Sequence, residues 1–203
     1  MADKDSGEST RYYLMGHRRI PIDGELNIKL IQQATNSLIK LDFDSNKPIT
    51  LLLSSEGGSY EATMQLGDLI ASLNSPVDVV AYGDCASMAV DLIQMCRKRM
   101  LLPSTRLLVH YLRMRGRWIC DDPEGLEADI ALFRRDMAIS REKRFSLYRN
   151  RTGLTDQKIL EMFRYGETHG AHFSAEQAVE SKLADEILTD FKLFPGRKYE
   201  GED

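Results

Sequence analysis

Ser87 and His110 are the two side chains of this chain whose types and settings suit a nucleophile and its base. Ser87 lies in Gly83-Asp84-Cys85-Ala86-Ser87-Met88-Ala89, after the β-branched run 77–81 and before the stretch 88–96. The first reads as a buried strand and the second, free of Gly and Pro, as a helix. A hydroxyl at such a junction meets unpaired backbone N–H groups and the positive end of the helix dipole. Those donors suit the oxyanion that forms when a hydroxyl attacks a carbonyl. The same position equally suits a plain helix cap. His110 closes the apolar strand pattern 106–111. On a strand end beside that of Ser87 it would act as general base; elsewhere it would be structural. A third strand-to-helix turn carries Gly57-Gly58. A Gly pair lets backbone approach a ligand closely at positive φ, or it merely turns the chain. The glycine patterns that cradle phosphates are absent.

The elements needed to hold these turns follow from periodicity. A strand is expected over 11–16, then Asp23 as cap of a helix over 25–40 with Leu26, Leu30, Ile31, Ala34, Leu38 and Ile39 on its stripe. A strand buried on both faces over 49–53 leads to a helix over 60–73, and Asn74-Ser75-Pro76 breaks it before the strand that precedes Ser87. Strand and helix alternate, which implies a parallel sheet with right-handed crossovers. In such sheets the turns at the carboxyl ends of strands form the working edge. Beyond His110, Arg113, Arg115 and Arg117 belong to a loop and read as solvated charge. From about 124 to 150 runs the longest helical pattern, with Leu126, Ile130, Phe133 and Met137 in a stripe extended by Phe145 and Tyr148. At 1.5 Å per residue it exceeds the sheet it must cover, so part should project and seek a partner, which points to self-association. The run Arg141-Glu142-Lys143-Arg144 reads as its solvated face. A short helix over 155–163, a loop over 164–172, a capping box of Ser174 and Gln177, a helix to Lys182 and a strand over 184–188 complete the chain.

Composition narrows the classes. With 42% hydrophobic and 29% charged residues and a net charge of -4, the 203-residue chain is ordinary globular protein, and nucleic acid is not expected as partner. Cys85, Cys96 and Cys120 are odd in number and lack metal-ligand spacing, which fits free thiols in a reducing, cytoplasmic setting. Residues 1–10 are polar, unlike a signal peptide, and no apolar run reaches membrane-spanning length.

Three ordered stretches together resemble the ClpP-type serine peptidases, the proteolytic subunits of ATP-dependent protease machines. Leu53-Ser54-Ser55-Glu56-Gly57-Gly58-Ser59 is similar to the family's S-P-G-G turn, with Glu56 where Pro is usual. Gly83 to Ala89 matches its G-x-A-A-S-M-G nucleophile motif except at Cys85 and Ala89. Leu102-Pro103-Ser104-Thr105-Arg106-Leu107-Leu108-Val109-His110 looks like its L-P-N-S-R-[VL]-[ML]-[IV]-H segment, and the stretch 173–187 also fits. The resemblance implies an α/β fold, the ClpP/crotonase-like spiral of repeated β-β-α units with mainly parallel strands and a projecting handle helix over about 124–150. One peptidase domain would span 11–190, between tails at 1–10 and 191–203. It implies Ser87 as nucleophile, His110 as general base, and the Gly58 and Met88 N–H groups as oxyanion hole, with no metal or cofactor. The substrate would be a peptide or unfolded polypeptide, cleaved inside a homo-oligomer, a heptameric ring or double ring.

The chain also departs from the family at its third catalytic position, in its partner-facing segments and in a His110 to Gly153 segment longer than usual. The family's third catalytic residue, an Asp four before the Ser of its F-[LST]-[ST]-A segment, falls here at Gly170. Glu167 is the nearest carboxylate and the expected substitute, with His169 and Asp91 as other candidates. Ahead of Arg11 most of the family's axial-loop segment is missing, and an aromatic of its docking pocket falls at Leu52, which weakens the expectation of an AAA+ unfoldase partner. These departures leave room for a second reading, a catalytically weak or inactive structural or regulatory subunit. An acyl-CoA enzyme of the related crotonase type is a third, opposed by the Ser87 and His110 pair.

Overall fold

A computed structural model describes residues 14–112, 122–164 and 170–193. Its strands are β1 (Arg19–Asp23), β2 (Ile49–Ser55), β3 (Val77–Ala86), β4 (Arg99–Leu101), β5 (Arg106–Val109), β6 (Ala171–Ser174) and β7 (Glu186–Ile187). Its helices are α1 (Ile28–Asp44), α2 (Tyr60–Ser72), α3 (Met88–Met95), α4 (Pro123–Thr152), α5 (Asp156–Arg164) and α6 (Ala175–Glu180). Strands β1-β2-β3-β4-β7 form one parallel path. The outer part of β3 leaves that path and pairs with β5, and β5 pairs antiparallel with β6. The expected parallel sheet is therefore present with one antiparallel edge. Its core is the apolar face of β2 and β3, with Leu51, Leu53, Val79 and Ala81 fully buried against Leu66 of α2 and Leu92 and Ile93 of α3.

The forked strand β3 places the site. Residues Val79 to Ala81 pair with β4, whereas Asp84 to Ala86 pair with β5. Between them the register with β2 shifts, so that Leu53 faces Ala81 but Ser55 faces Cys85. Gly83, at φ 63°, sits in this irregularity. The sequence places the strand's end at Ala81, reading Gly83 as punctuation; here the glycine instead admits a bulge, and pairing resumes beyond it.

Other boundaries moved for identifiable reasons. Residues 14–16 are helical rather than extended, and 11–13 lie outside the described residues. Asp23 ends β1 opposite Ser54 and does not cap a helix. The cap is Asn27, whose side chain accepts the Leu30 N–H at 3.0 Å, so α1 starts at Ile28 and runs on to Asp44. Three-residue β4 carried no periodic signal. It is held by Arg99, whose buried guanidinium donates to Asp185, to Gln94 Oε1 at 2.7 Å and to the Lys182 carbonyl at 2.8 Å. The capping box of Ser174 and Gln177 is formed in full, but Ala171 and His172, expected in a loop, belong to β6, and α6 stops at Glu180. Helix α4 spans 30 residues, and its buried side chains are Ser140, Arg144, Phe145, Tyr148 and Thr152, all in its second half. The expected tails at 1–10 and from 194 on lie outside the described residues, as do Arg113, Arg115, Arg117 and Cys120. Among the described residues no helix is long and apolar enough to cross a membrane.

Candidate active site

Ser87 stands between the end of β3 and the start of α3 in a conformation that side-chain-bearing residues rarely adopt, φ 55° and ψ -123°. Such strain persists only where surrounding bonds over-determine it. Here the Ser87 N–H donates to the Leu108 carbonyl of β5 at 2.8 Å, and the Ser87 carbonyl accepts from Val90 N–H at 3.0 Å. Its hydroxyl makes no capping bond, so the cap reading fails, and the residue is half-buried.

The Gly57-Gly58 turn packs directly on this junction. A Cβ at Gly57, φ 97°, would lie 2.7 Å from the Ala86 carbonyl oxygen, 2.8 Å from Ser87 Cβ and 3.0 Å from Met88 N. Gly58, φ 154°, is held from behind: the Leu26 N–H donates to Gly57 O at 2.8 Å, and the Ser59 N–H donates to Leu26 O at 2.9 Å. In that parallel bridge Gly58 turns its own N–H the other way. Neither the Gly58 nor the Met88 N–H has an acceptor among the described residues. Two donors without an acceptor among the described residues and a strained, uncapped hydroxyl therefore stand at one junction, at the N-terminus of α3. Chemically this can hold a developing oxyanion beside an attacking oxygen.

His110 follows β5 immediately. Because β5 runs parallel to the outer part of β3 with Ala86 level with Leu108, Ser87 and His110 emerge from neighbouring strand ends. The half-buried imidazole has its Nδ1 2.6 Å from the Tyr111 carbonyl oxygen. With a proton on Nδ1 donated to that carbonyl, Nε2 is left as the free lone pair, the tautomer a general base needs.

The residues expected to orient this imidazole are placed very differently. Position 170 does reach it: β6 pairs Ala171 with Val109, so Gly170 arrives opposite His110. A Cβ there would be 2.5 Å from His110 Cβ and still closer to the Val109 carbonyl oxygen, at φ 88°. The position is right and the space for a side chain is absent. Glu167 and His169 lie outside the described residues. Asp91, fully buried, is spoken for: it accepts from Arg144 Nε at 2.6 Å and from the Tyr148 hydroxyl at 2.7 Å. Burial, and then the neighbouring Asp91 carboxylate, push the Tyr148 hydroxyl well above the ordinary phenol range and keep it a donor. Arg144 also donates to the His110 carbonyl oxygen at 3.2 Å, so this buried group props the backbone of the base without touching its ring.

Arg144 corrects the sequence reading, which put it on a solvated face; only Arg141, Glu142 and Lys143 are exposed. Its position was readable, because it lies seven residues after Met137 and four before Tyr148, on the apolar stripe itself. Burial pushes the Cys85 thiol up to about 11 and the Cys96 thiol up to about 12, which makes both unreactive packing groups. Among the described residues no three His, Cys, Asp or Glu side chains gather to hold a metal ion.

The mainly parallel sheet, with its Gly-Gly turn and strained serine at one carboxyl edge, defines an α/β protein of the ClpP-type fold. The Clp protease family model matches residues 4–191. A curated relative, the ATP-dependent Clp protease proteolytic subunit 2 of Gluconobacter oxydans (strain 621H), is 27% identical over 179 residues, 86% of this chain and 75% of that protein. The chain belongs to the Clp protease family, a family of peptidases.

Proposed function

We propose that the protein is a serine endopeptidase that hydrolyses peptide bonds with Ser87 as nucleophile, His110 as general base, and the Gly58 and Met88 N–H groups as oxyanion hole. The observation that carries this reading is the junction of Gly57-Gly58 with a strained, uncapped Ser87. Ser87 Oγ attacks the substrate carbonyl as Nε2 of His110 takes its proton, and the tetrahedral oxyanion lies against the two N–H groups. His110 then protonates the leaving amine, and water hydrolyses the acyl-enzyme by the same steps. A polypeptide substrate, a cytoplasmic ring-shaped homo-oligomer of one or two heptamers, and an optional AAA+ unfoldase partner accompany the proposal. A fluorophosphonate probe on the full chain tests it: labelling at Ser87 is expected, and an unlabelled Ser87 in assembled protein sinks it.

Two acceptors are candidates for the Nδ1 proton of His110, the Tyr111 carbonyl and the Glu167 carboxylate, the latter outside the described residues. The 2.6 Å contact favours the carbonyl. Glu167→Gln should therefore leave kcat within a few-fold of the parent, whereas a fall of about 10⁴, the cost of losing an orienting carboxylate, would give the role to Glu167. Gly170 favours a second reading, a catalytically weak family member acting as a structural or regulatory subunit, because no side chain fits where the family keeps its carboxylate.

A further inference from the structure

A cavity of about 400 Å³ opens beside the base, between the segment after His110, the middle of α4 and the end of α5. Its walls are apolar, formed by Tyr111, Phe145 and Phe163 with Leu160 and Met137. Four arginines also line it: Arg134, Arg141 and Arg144 from one face of α4, and Arg164 from α5. No Asp or Glu lines it among the described residues. Among the described residues only Arg144 has a carboxylate partner, Asp91 beneath the floor. Arg141 lies over the Phe145 ring at 4.9 Å, and Arg164 Nε donates to the Tyr111 hydroxyl at 2.8 Å, so two rim guanidinium groups are held against the walls rather than free to swing away.

An apolar pocket ringed by unneutralised guanidinium groups repels a lysine and gives an amide little. It suits a group with a short apolar stem and a terminal carboxylate, because guanidinium binds carboxylate in a fork and low-dielectric walls strengthen the attraction. Tyr111 adjoins His110 in the chain, and Arg144 donates to the His110 carbonyl oxygen, so the pocket lies beside the segment that carries His110. We infer that this pocket takes an acidic side chain, glutamate foremost, from the substrate residue next to the attacked carbonyl. The inference rests on the serine peptidase reading for the word substrate; the pocket's preference for a carboxylate stands on the arginines.

The test uses the full-length Ser87→Ala protein, which binds without turnover, and dye-labelled tripeptide amides ending in Glu, Gln, Leu or Lys. Fluorescence anisotropy should show the Glu peptide binding about tenfold tighter than the Gln peptide, with the margin shrinking in high salt. Adding the exposed Arg141→Ala or Arg134→Gln change should erase most of that margin. Equal binding of Glu and Gln, a preference for Leu, or a margin seen only when the terminal amide is replaced by a free carboxylate would each overturn the inference. Hydrolysis of the matching fluorogenic series by the unmodified protein reads the other question. Glu-selective binding without hydrolysis fails the peptidase and keeps the pocket; Ser87-dependent hydrolysis without Glu preference keeps the peptidase and fails the pocket.

Discussion

On the side of the proposed nucleophile the geometry is set by backbone, whereas on the side of the proposed base the family's usual device is a side chain, and the position that should carry it is a glycine. Gly57 lies against Ser87 because it has no Cβ, Gly58 is held from behind by Leu26 with its N–H unpaired among the described residues, and Ser87 is fixed through its own N–H and carbonyl. At His110 the corresponding approach, by Gly170, is just as close, yet closeness there removes the space for a carboxylate. The same absence of a Cβ therefore lets backbone pack against Ser87 and leaves no room for a side chain at position 170 beside His110. Among the described residues the partner of the His110 ring is a backbone carbonyl, that of Tyr111.

The comparison breaks outright if the nucleophile half is not the engine. Ser87→Ala should leave assembly unchanged by sedimentation and lower peptide hydrolysis by about 10⁶, as removing a catalytic serine does. Turnover near the parent's level would end the assignment.

Next in size is the buried ion pair that links the halves, since Asp91 lies on α3 behind Ser87 while Arg144 reaches the His110 carbonyl. Both side chains are buried, so Asp91→Ala strands a charge. Urea unfolding should register a loss of about 3–5 kcal/mol. A loss under 1 kcal/mol would show that water reaches the pair and that the halves are not coupled through it.

Gly57→Ala tests the backbone construction directly. The new methyl would press on the Ala86 carbonyl and Met88 N, neither of which can swing aside. We expect kcat to drop by about 10²–10³, the usual cost of losing an oxyanion donor, with fluorophosphonate labelling slowed to match. An unimpaired variant would mean that the turn does not hold the transition state.

The two halves were also unequally legible in the sequence. Glycines and a serine at a strand-to-helix junction announce backbone geometry locally, so Gly57-Gly58, Ser87 and the parallel order around them could be read from a few adjacent residues. The bulge at Gly83 could not, because a glycine that ends a strand and one that kinks it look alike until β5 is known to pair beyond it. Strand β6 was hidden in a short segment whose pairing partner, β5, lies over 60 residues earlier. The base side depends on such distant pairings, and on a main-chain carbonyl that no residue type reveals. Arg144 misled because its charge was read without its phase on α4.

The finest test concerns Gly170 itself. Sequence similarity alone recommends Gly170→Asp as a repair that should raise activity by restoring the missing carboxylate. The geometry predicts the reverse. At φ 88° any side chain is strained, by about 1–3 kcal/mol, and its Cβ would press on the Val109 carbonyl and on His110 Cβ at 2.5 Å. The end of β5 would have to shift, taking His110 away from Ser87. Gly170→Asp and Gly170→Ala should therefore lower kcat alike, by about tenfold, since both are limited by the same displaced Cβ rather than by charge. If the Asp variant instead exceeds the parent while the Ala variant falls, the loop can make room, and a carboxylate at 170 serves the base better than the Tyr111 carbonyl does.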